Sequence, residues 1–269
     1  MQLRRSVTSA QDGVGRTLTF NEDELGQLAS NFNKMAGKLE ANEITRRQLM
    51  ADISHELRTP LAVLSSQLEN LEDGVYPLTQ ENLLPLREEV TTLTKRINDI
   101  RQLSLAEVGA LQYQWRRVDL SSWLDEVRHR WWNRLAEEGI ALETQSAAGL
   151  VVHADRDRLH QLLQNLIDNA RCHANDASSL RILVLGEAGQ AVIECHDDGP
   201  GVDERSLPRL FERFWREDRS RSRGTGGSGL GLAICRSIAI AHAGRIEALR
   251  SAMGGLCIRV SLPLAEVES

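Results

Sequence analysis

The sequence has no run of 18 or more apolar residues, so no stretch of it reads as a membrane-crossing helix. Residues 1–5 have no apolar run behind them and are not read as a secretory signal. Aromatics make up only 4% of the chain, so its core must be packed mainly by Leu, Ile and Val. No sign of charge dominates: 32 basic residues face 38 acidic ones, and a net charge of −6 argues against a general nucleic-acid surface. Cysteine is scarce and unpatterned. Cys172, Cys195, Cys235 and Cys257 form no CxxC pair, and their spacing suits neither zinc nor a small disulfide framework. Cys195 and Cys257 fall in apolar, strand-like runs, which reads as buried free thiols in a reducing compartment.

What remains is an ordinary globular composition, 41% apolar and 26% charged, over 269 residues, enough for two domains or one large one. Leu25, Leu28, Phe32, Met35 and Leu39 recur at steps of three and four, a heptad seam. The seam lapses at Asn42 and Arg46, which predicts a local change of helix winding. It resumes at Leu49, Ile53, Leu57, Leu61, Leu64, Leu68 and Leu71, and Asp73-Gly74 and Pro77 end it. A second seam runs Leu83, Leu86, Val90, Leu93, Ile97, Ile100, Leu103, with Thr79 as its N-cap and Pro85 marking a kink or a later start. Two such helices make an antiparallel hairpin with more apolar surface than it can bury alone. The expectation is a dimeric four-helix bundle, the alternative being a bundle within one chain.

Residues 109–119 read as a linker. Beyond it the pattern predicts a helix near 120–138, strands at 140–143 and 150–154, and a helix over 156–174. Strands at 180–185 and 191–196 follow, then an irregular stretch near 199–227, a helix over 228–243, and strands near 245–250 and 256–262. This is an α/β sandwich, helices on one face of a mixed sheet.

Within the first seam stands Ser54-His55-Glu56-Leu57-Arg58-Thr59-Pro60-Leu61. His55 lies two residues from both Ile53 and Leu57, so its position is off the apolar stripe. Glu56 is a neighbouring carboxylate able to orient an imidazole or take its proton. Pro60 inside a helix costs ~3 kcal/mol without compensation, so it marks a bend. A zinc protease would need a second His one turn on, where Thr59 stands.

A second constellation follows in the other half. Asn165 and Asn169, in Asn165-Leu166-Ile167-Asp168-Asn169-Ala170, share one helix face opposite Leu162, Leu163, Leu166 and Ile167. Amide oxygens suit Mg²⁺ and amide NH₂ groups suit phosphate. Asp197-Asp198-Gly199-Pro200-Gly201 ends an apolar strand, placing a carboxylate where it can read an exocyclic amine. Phe211-Glu212-Arg213-Phe214-Trp215 comes next, and Gly224-Thr225-Gly226-Gly227-Ser228-Gly229-Leu230-Gly231-Leu232 opens onto a helix, a phosphate cradle that is not a Walker A loop.

The string around His55 resembles the H box of HisKA-class sensor histidine kinases, and the later strings, in order, resemble the N, G1, F and G2 boxes of the Bergerat-type (GHKL) ATP-binding fold. The resemblance covers residues 50–265. It implies that His55 is the phosphoacceptor, that Glu56 assists transfer, and that Thr59 positions water when a partner is dephosphorylated. It implies that Asn169 coordinates Mg²⁺, Asn165 helps hold the triphosphate, and Asp197 contacts adenine, with Gly199 and Gly201 shaping the pocket. Gly227, Gly229, Leu230 and Gly231 would border the phosphates under a lid of about residues 203–228. The family's basic residue three after the second Asn, and the aromatic beside it, are Cys172 and His173 here, with Arg171 one position early. Arg213, Arg216, Arg219, Arg221 and Arg223 are the candidates to supply that phosphate contact. The last glycine box is a loose match, Ala252-Met253-Gly254-Gly255-Leu256, given a weak nucleotide role.

Residues 23–43 resemble the second half of a HAMP relay, which suggests a truncated form of a protein anchored in a bacterial inner membrane, this part lying on the cytoplasmic side. The implied division is 1–45 partial HAMP, 46–108 phosphoacceptor hairpin, 109–119 linker and 120–269 ATP-binding domain. The implied activity is ATP-dependent autophosphorylation of His55 and transfer to an aspartate of a response regulator receiver domain, with phosphatase activity toward it, in a homodimer touching neither nucleic acid nor membrane. Two rivals stay open. An ATP-hydrolysing GHKL machine needs a general base where Asn165 offers an amide. A scaffold, or mainly a phosphatase, would follow if Cys172-His173 cripples ATP binding.

Overall fold

The computed structural model describes residues 24–107, 109–173, 178–216 and 228–266. The chain divides into two units, residues 1–70 and 71–269. The described residues of the first unit form one helix, α1 (Glu24–Glu72), which carries on two residues past the unit boundary. The seam lapse at Asn42–Arg46 does not interrupt it, and Pro60 is accommodated inside it. Its end is as the sequence predicts: Gly74, at φ +68°, donates its N–H to the Leu71 carbonyl. Phe32, Met35, Leu39, Leu61 and Leu68 of the seam are each about half exposed or more along this helix.

The second unit begins with α2 (Gln80–Glu107), where Thr79 Oγ1 accepts the Asn82 N–H at 3.3 Å, an N-cap as expected. Pro85 sits inside α2 without ending it. Then come β1 (Trp115–Asp119), α3 (Leu120–Glu137), β2 (Ala141–Ser146), β3 (Val151–Asp155), α4 (Arg156–His173), β4 (Ser179–Glu187), β5 (Gln190–Asp197), α5 (Gly231–Ala241), β6 (Arg245–Arg250) and β7 (Leu256–Pro263). A short 3₁₀ turn, Leu207–Arg209, lies before α5.

Strand β1 is absent from the sequence reading, which placed residues 115–119 in a linker. Its register against β3, Trp115 opposite Asp155 through Asp119 opposite Val151, supplies the partner that a lone five-residue run does not reveal. The main sheet runs β2-β4-β5-β7-β6, with β2–β4 parallel and the other pairs antiparallel.

Strand alternation sorts the sheet's two faces. One cross-strand row is Ile182, Cys195, Ile258 and Ala248; these pack with Trp123, Leu159, Leu162, Leu166, Ile234 and Ile238 of the helices in one core. The adjacent row, Arg181, His196, Cys257 and Leu249, points out of the other face. Helices are fixed locally at their starts. Asp119 Oδ1 accepts the Ser122 N–H to cap α3, and Asp155 Oδ1 accepts the Asp157 and Arg158 N–H groups to cap α4.

Candidate active site

Strand β5 delivers Asp197 to the edge of the core, where the residue is buried. Its Oδ1 accepts two backbone N–H bonds, from Gly199 at 3.1 Å and Leu256 at 3.0 Å. Burial pushes the Asp197 carboxyl above the usual range, against the pull of those two amides. The neighbouring Asp198 serves the sheet instead. Its oxygens accept the Ser178 hydroxyl at 2.8 Å and the Ser179 N–H at 3.1 Å. Of two adjacent acids, only Asp197 belongs to the candidate pocket.

The turn before β7 presses against this carboxylate. A Cβ on Gly255 would meet Asp197 Oδ1 at 2.1 Å and the Gly199 nitrogen at 2.6 Å, so no side chain fits there. Gly201, at φ +71°, faces the Gly254 and Gly255 carbonyls. Gly199, Gly201 and Asp197 are thus brought together, and Gly255 joins them. The sequence reading gave that last glycine box too small a part, because what demands glycine is a contact across 58 residues.

At the other end, the Asn165 side-chain amide donates to the Gly231 carbonyl at 3.3 Å, tying α4 to the first residue of α5. Asn169 is half-buried one turn further along α4. Leu230, the N-cap of α5, makes no side-chain cap hydrogen bond, and the backbone N–H groups of such a helix start suit an anion. Gly229, at φ +67°, lies against Phe214: its carbonyl accepts the Phe214 N–H at 3.0 Å, and a Cβ there would meet the Phe214 Cα at 2.8 Å. Phe214 itself has φ +57°, so two left-handed residues lock the aromatic cluster onto the glycine-rich segment. Gly227, Arg219, Arg221 and Arg223 lie outside the described residues.

Two arginines near the site are held by acidic partners. Arg213 is ion-paired with Glu107 of α2 and lines a cavity with Leu103, Tyr113, Phe211 and Ile240. Arg171 reaches Glu138 at the end of α3 and Asp168 at 3.1 Å, and its hydrogen bond holds the Glu138 carboxyl below the usual carboxylate range. Helix α2 is clasped to this unit at two more points, Lys95 to Asp168 at 3.2 Å and Gln102 to Gln161 at 2.9 and 2.6 Å.

His55, Glu56 and Thr59 occupy consecutive turns of α1. The side chains of His55 and Glu56 lie outside the described residues; Thr59 is exposed.

A further group escaped the sequence reading. His242, buried just past α5, accepts the Asp155 N–H on Nε2 at 3.0 Å and donates from Nδ1 to the Ile238 carbonyl at 2.8 Å. It joins α5 to the start of α4, the two helices that the Asn165–Gly231 hydrogen bond also ties together.

Fold and site together define a nucleotide-binding sandwich of the GHKL type, preceded in the chain by a helical region. Residues 154–266 match the family described as histidine kinase-, DNA gyrase B- and HSP90-like ATPase. Residues 45–109 match the His Kinase A (phospho-acceptor) domain, and residues 16–41 the HAMP domain. The signal transduction histidine-protein kinase BaeS of Escherichia coli K12 is 46% identical over 95% of this chain and 55% of its own length. Sensor histidine kinase MtrB of Mycobacterium tuberculosis (strain CDC 1551 / Oshkosh) is 32% identical over 90% of this chain and 45% of its own length. Among solved structures, Acinetobacter baumannii histidine kinase AdeS matches 79% of this chain and 98% of its own, with TM-score 0.67 and 26% identity. Full-length ShkA in complex with AMPPNP matches 83% of this chain and 47% of its own, with TM-score 0.61 and 27% identity. The chain belongs to the sensor histidine kinases, with HAMP, HisKA and ATPase parts in that order. It spans about half the length of the curated relatives it matches.

Proposed function

We propose that this chain binds ATP in the 120–269 domain and transfers its γ-phosphoryl group to His55, then to an aspartate of a response regulator receiver domain. The observation that carries the reading is the pairing of two clasps in one domain, Asp197 against Gly255 and Asn165 against Gly231, in a chain whose α1 bears the HisKA histidine. A nucleotide complex of one structural neighbour supports a nucleoside triphosphate as ligand.

Asp197 Oδ1 is committed to backbone amides, so the other oxygen would take the adenine amine. The N-terminal amides of α5 would face the phosphates. The Asn169 amide oxygen would hold Mg²⁺, and Asn165, one turn earlier on α4, would help hold the triphosphate. When bound, that ion neutralises phosphate charge. The His55 imidazole nitrogen attacks the γ-phosphorus, ADP leaves with the bridging oxygen, and Glu56 accepts the ring proton. Thr59 would place the water that hydrolyses the regulator's phosphoaspartate, releasing inorganic phosphate and the free aspartate. The exposed seam residues Leu61, Leu68, Val90 and Ile97 support a homodimer through the residues 46–108 hairpin.

Incubation with γ-labelled ATP tests the reading. Acid-labile, base-stable label should accumulate and vanish in His55→Gln and in Asn169→Ala. Mixing those two variants reports whether transfer crosses the dimer. Label persisting in either single variant overturns the assignment, and sustained ATP turnover without phosphoprotein favours a hydrolase.

A further inference from the structure

We propose that Glu194, His196 and Cys257 form a binding site for a zinc-class divalent cation on the sheet face turned away from the helices. The proposal stands independently of the kinase reading.

Three strand positions create the cluster. β5 and β7 are antiparallel with His196 opposite Cys257 and Glu194 opposite Arg259, and side chains two apart on β5 share a face. The helix-facing residues between and beside them, Cys195 and Ile258, belong to the core, while Cys257 does not. His196 Nε2 lies 3.1 Å from Glu194 Oε2 and 3.6 Å from Cys257 Sγ, and the three donor atoms all fall within 4.8 Å of one another. A tetrahedral zinc ion with bonds of ~2.0–2.3 Å separates its donors by about 3.3–3.6 Å. The imidazole therefore already stands near the ligand spacing from both partners.

The surroundings are those of a held ligand set. The second ring nitrogen of His196 faces the Ser251 hydroxyl at 3.4 Å, and that hydroxyl accepts the Met253 N–H at 3.0 Å. Metal-binding histidines are commonly fixed through their other nitrogen in this way. The remaining oxygen of Glu194 meets Arg259 Nε at 2.9 Å, and Arg259 also pairs with Glu187 at 2.8 Å. Arg259 opposes a cation, but Glu187, and Glu247 across the β6–β7 pair, offset its charge; Arg181, opposite His196 on β4, is paired with Glu143. Cys257 is buried, whereas the Glu194 and His196 side chains each keep 13% of their surface exposed, which gives an ion access from solvent.

The donor chemistry selects the ion. One sulfur, one imidazole nitrogen and one carboxylate oxygen disfavour Mg²⁺ and Ca²⁺, which take oxygen, and favour Zn²⁺ or Co²⁺. On binding, the metal–sulfur bond replaces the Cys257 S–H bond and the proton passes to solvent. Water completes the fourth position. The cysteine spacing in sequence gives no hint of this, because the site is assembled by strand register across 61 residues, from 196 to 257.

Titration of the reduced, metal-free chain with Co²⁺ under anaerobic conditions, without nucleotide, tests the site. One equivalent should bind with a thiolate-to-cobalt charge-transfer band, and Zn²⁺ should displace it. Cys257→Ser should lose the band, and His196→Gln should weaken binding by at least about tenfold. Circular dichroism establishes that each variant is folded. Glu194→Gln changes a partly exposed group and keeps the thiolate, so it should retain the band with weakened affinity even if Cys257→Ser misfolds. Absence of the band in the unmodified chain, its persistence in folded Cys257→Ser, or unchanged affinity in both Glu194→Gln and His196→Gln would overturn the proposal.

Discussion

Gly255 backs onto Asp197 so closely that a single added carbon would sit 2.1 Å from Oδ1. Neither neighbour can give way cheaply, since the carboxylate is held by two amides and the next closest atom is the Gly199 backbone nitrogen at 2.6 Å. Gly255→Ala should therefore push β5 and the turn before β7 apart. Overpacking of this kind costs about 1–3 kcal/mol. ATP affinity by calorimetry should fall at least about tenfold, roughly 1.4 kcal/mol, alongside a lowered melting temperature. Wild-type affinity in this variant would remove Gly255 from the pocket.

Asp197 is held with its carboxyl raised by burial, so at neutral pH the ionised form is less comfortable in the folded chain than in the unfolded one. Asn resembles the protonated acid in shape and still offers an oxygen to Leu256 and Gly199. Asp197→Asn should thus leave urea stability unchanged or higher while nucleotide binding drops by about tenfold or more. Loss of both together would mean the carboxylate is structural.

Acid should loosen the α4–α5 junction. Burial lowers the His242 pKa below its ordinary 6.5, and His160 is lowered too, first by burial and then by Arg130 and Arg156. Both side chains are favoured neutral in the fold, so the unfolded state binds more protons below the unfolded value. Their stabilisation is complete above about pH 6.5 and is lost as the pH falls from there toward the folded pKa. The geometry agrees, because a protonated His242 would aim an N–H at the Asp155 N–H it now accepts. Urea midpoints should decline as the pH falls below about 6.5. His242→Gln should remove much of that decline, and a flat profile in the parent chain would contradict the picture.

The Glu107–Arg213 pair, with side chains 40% and 25% exposed, is too wet to hold α2 by itself. A double-mutant cycle with Glu107→Ala and Arg213→Ala should give a coupling below about 1 kcal/mol. Arg213→Ala should change ATP affinity by less than about threefold, since its guanidinium is turned toward α2; a tenfold loss would restore it as a phosphate ligand.

Much of the fold follows from local pattern. The 3.6-residue and two-residue periodicities place α3 to α5 and β2 to β7 within a few residues of where they lie, because each buries one face in the same core. Strand β1 escapes, since Trp115, Arg116 and Arg117 are exposed and only Val118 is buried. The site divides in the same way. Asn165, Asp197 and Gly229 are visible as motifs. Gly255, His242 and the His196–Cys257 pair are visible only once distant strands and helices are brought into register. The Arg213 ion pair is hidden in the same way, because its partner Glu107 stands 106 residues upstream.

Helix α1 runs unbroken from Glu24 past His55. At 1.5 Å per residue, those 31 steps make a shaft of roughly 45 Å. A shaft without a joint conveys torque better than it conveys bending. Whatever grips its upstream end can therefore reorient the histidine by twisting, with no unfolding anywhere between.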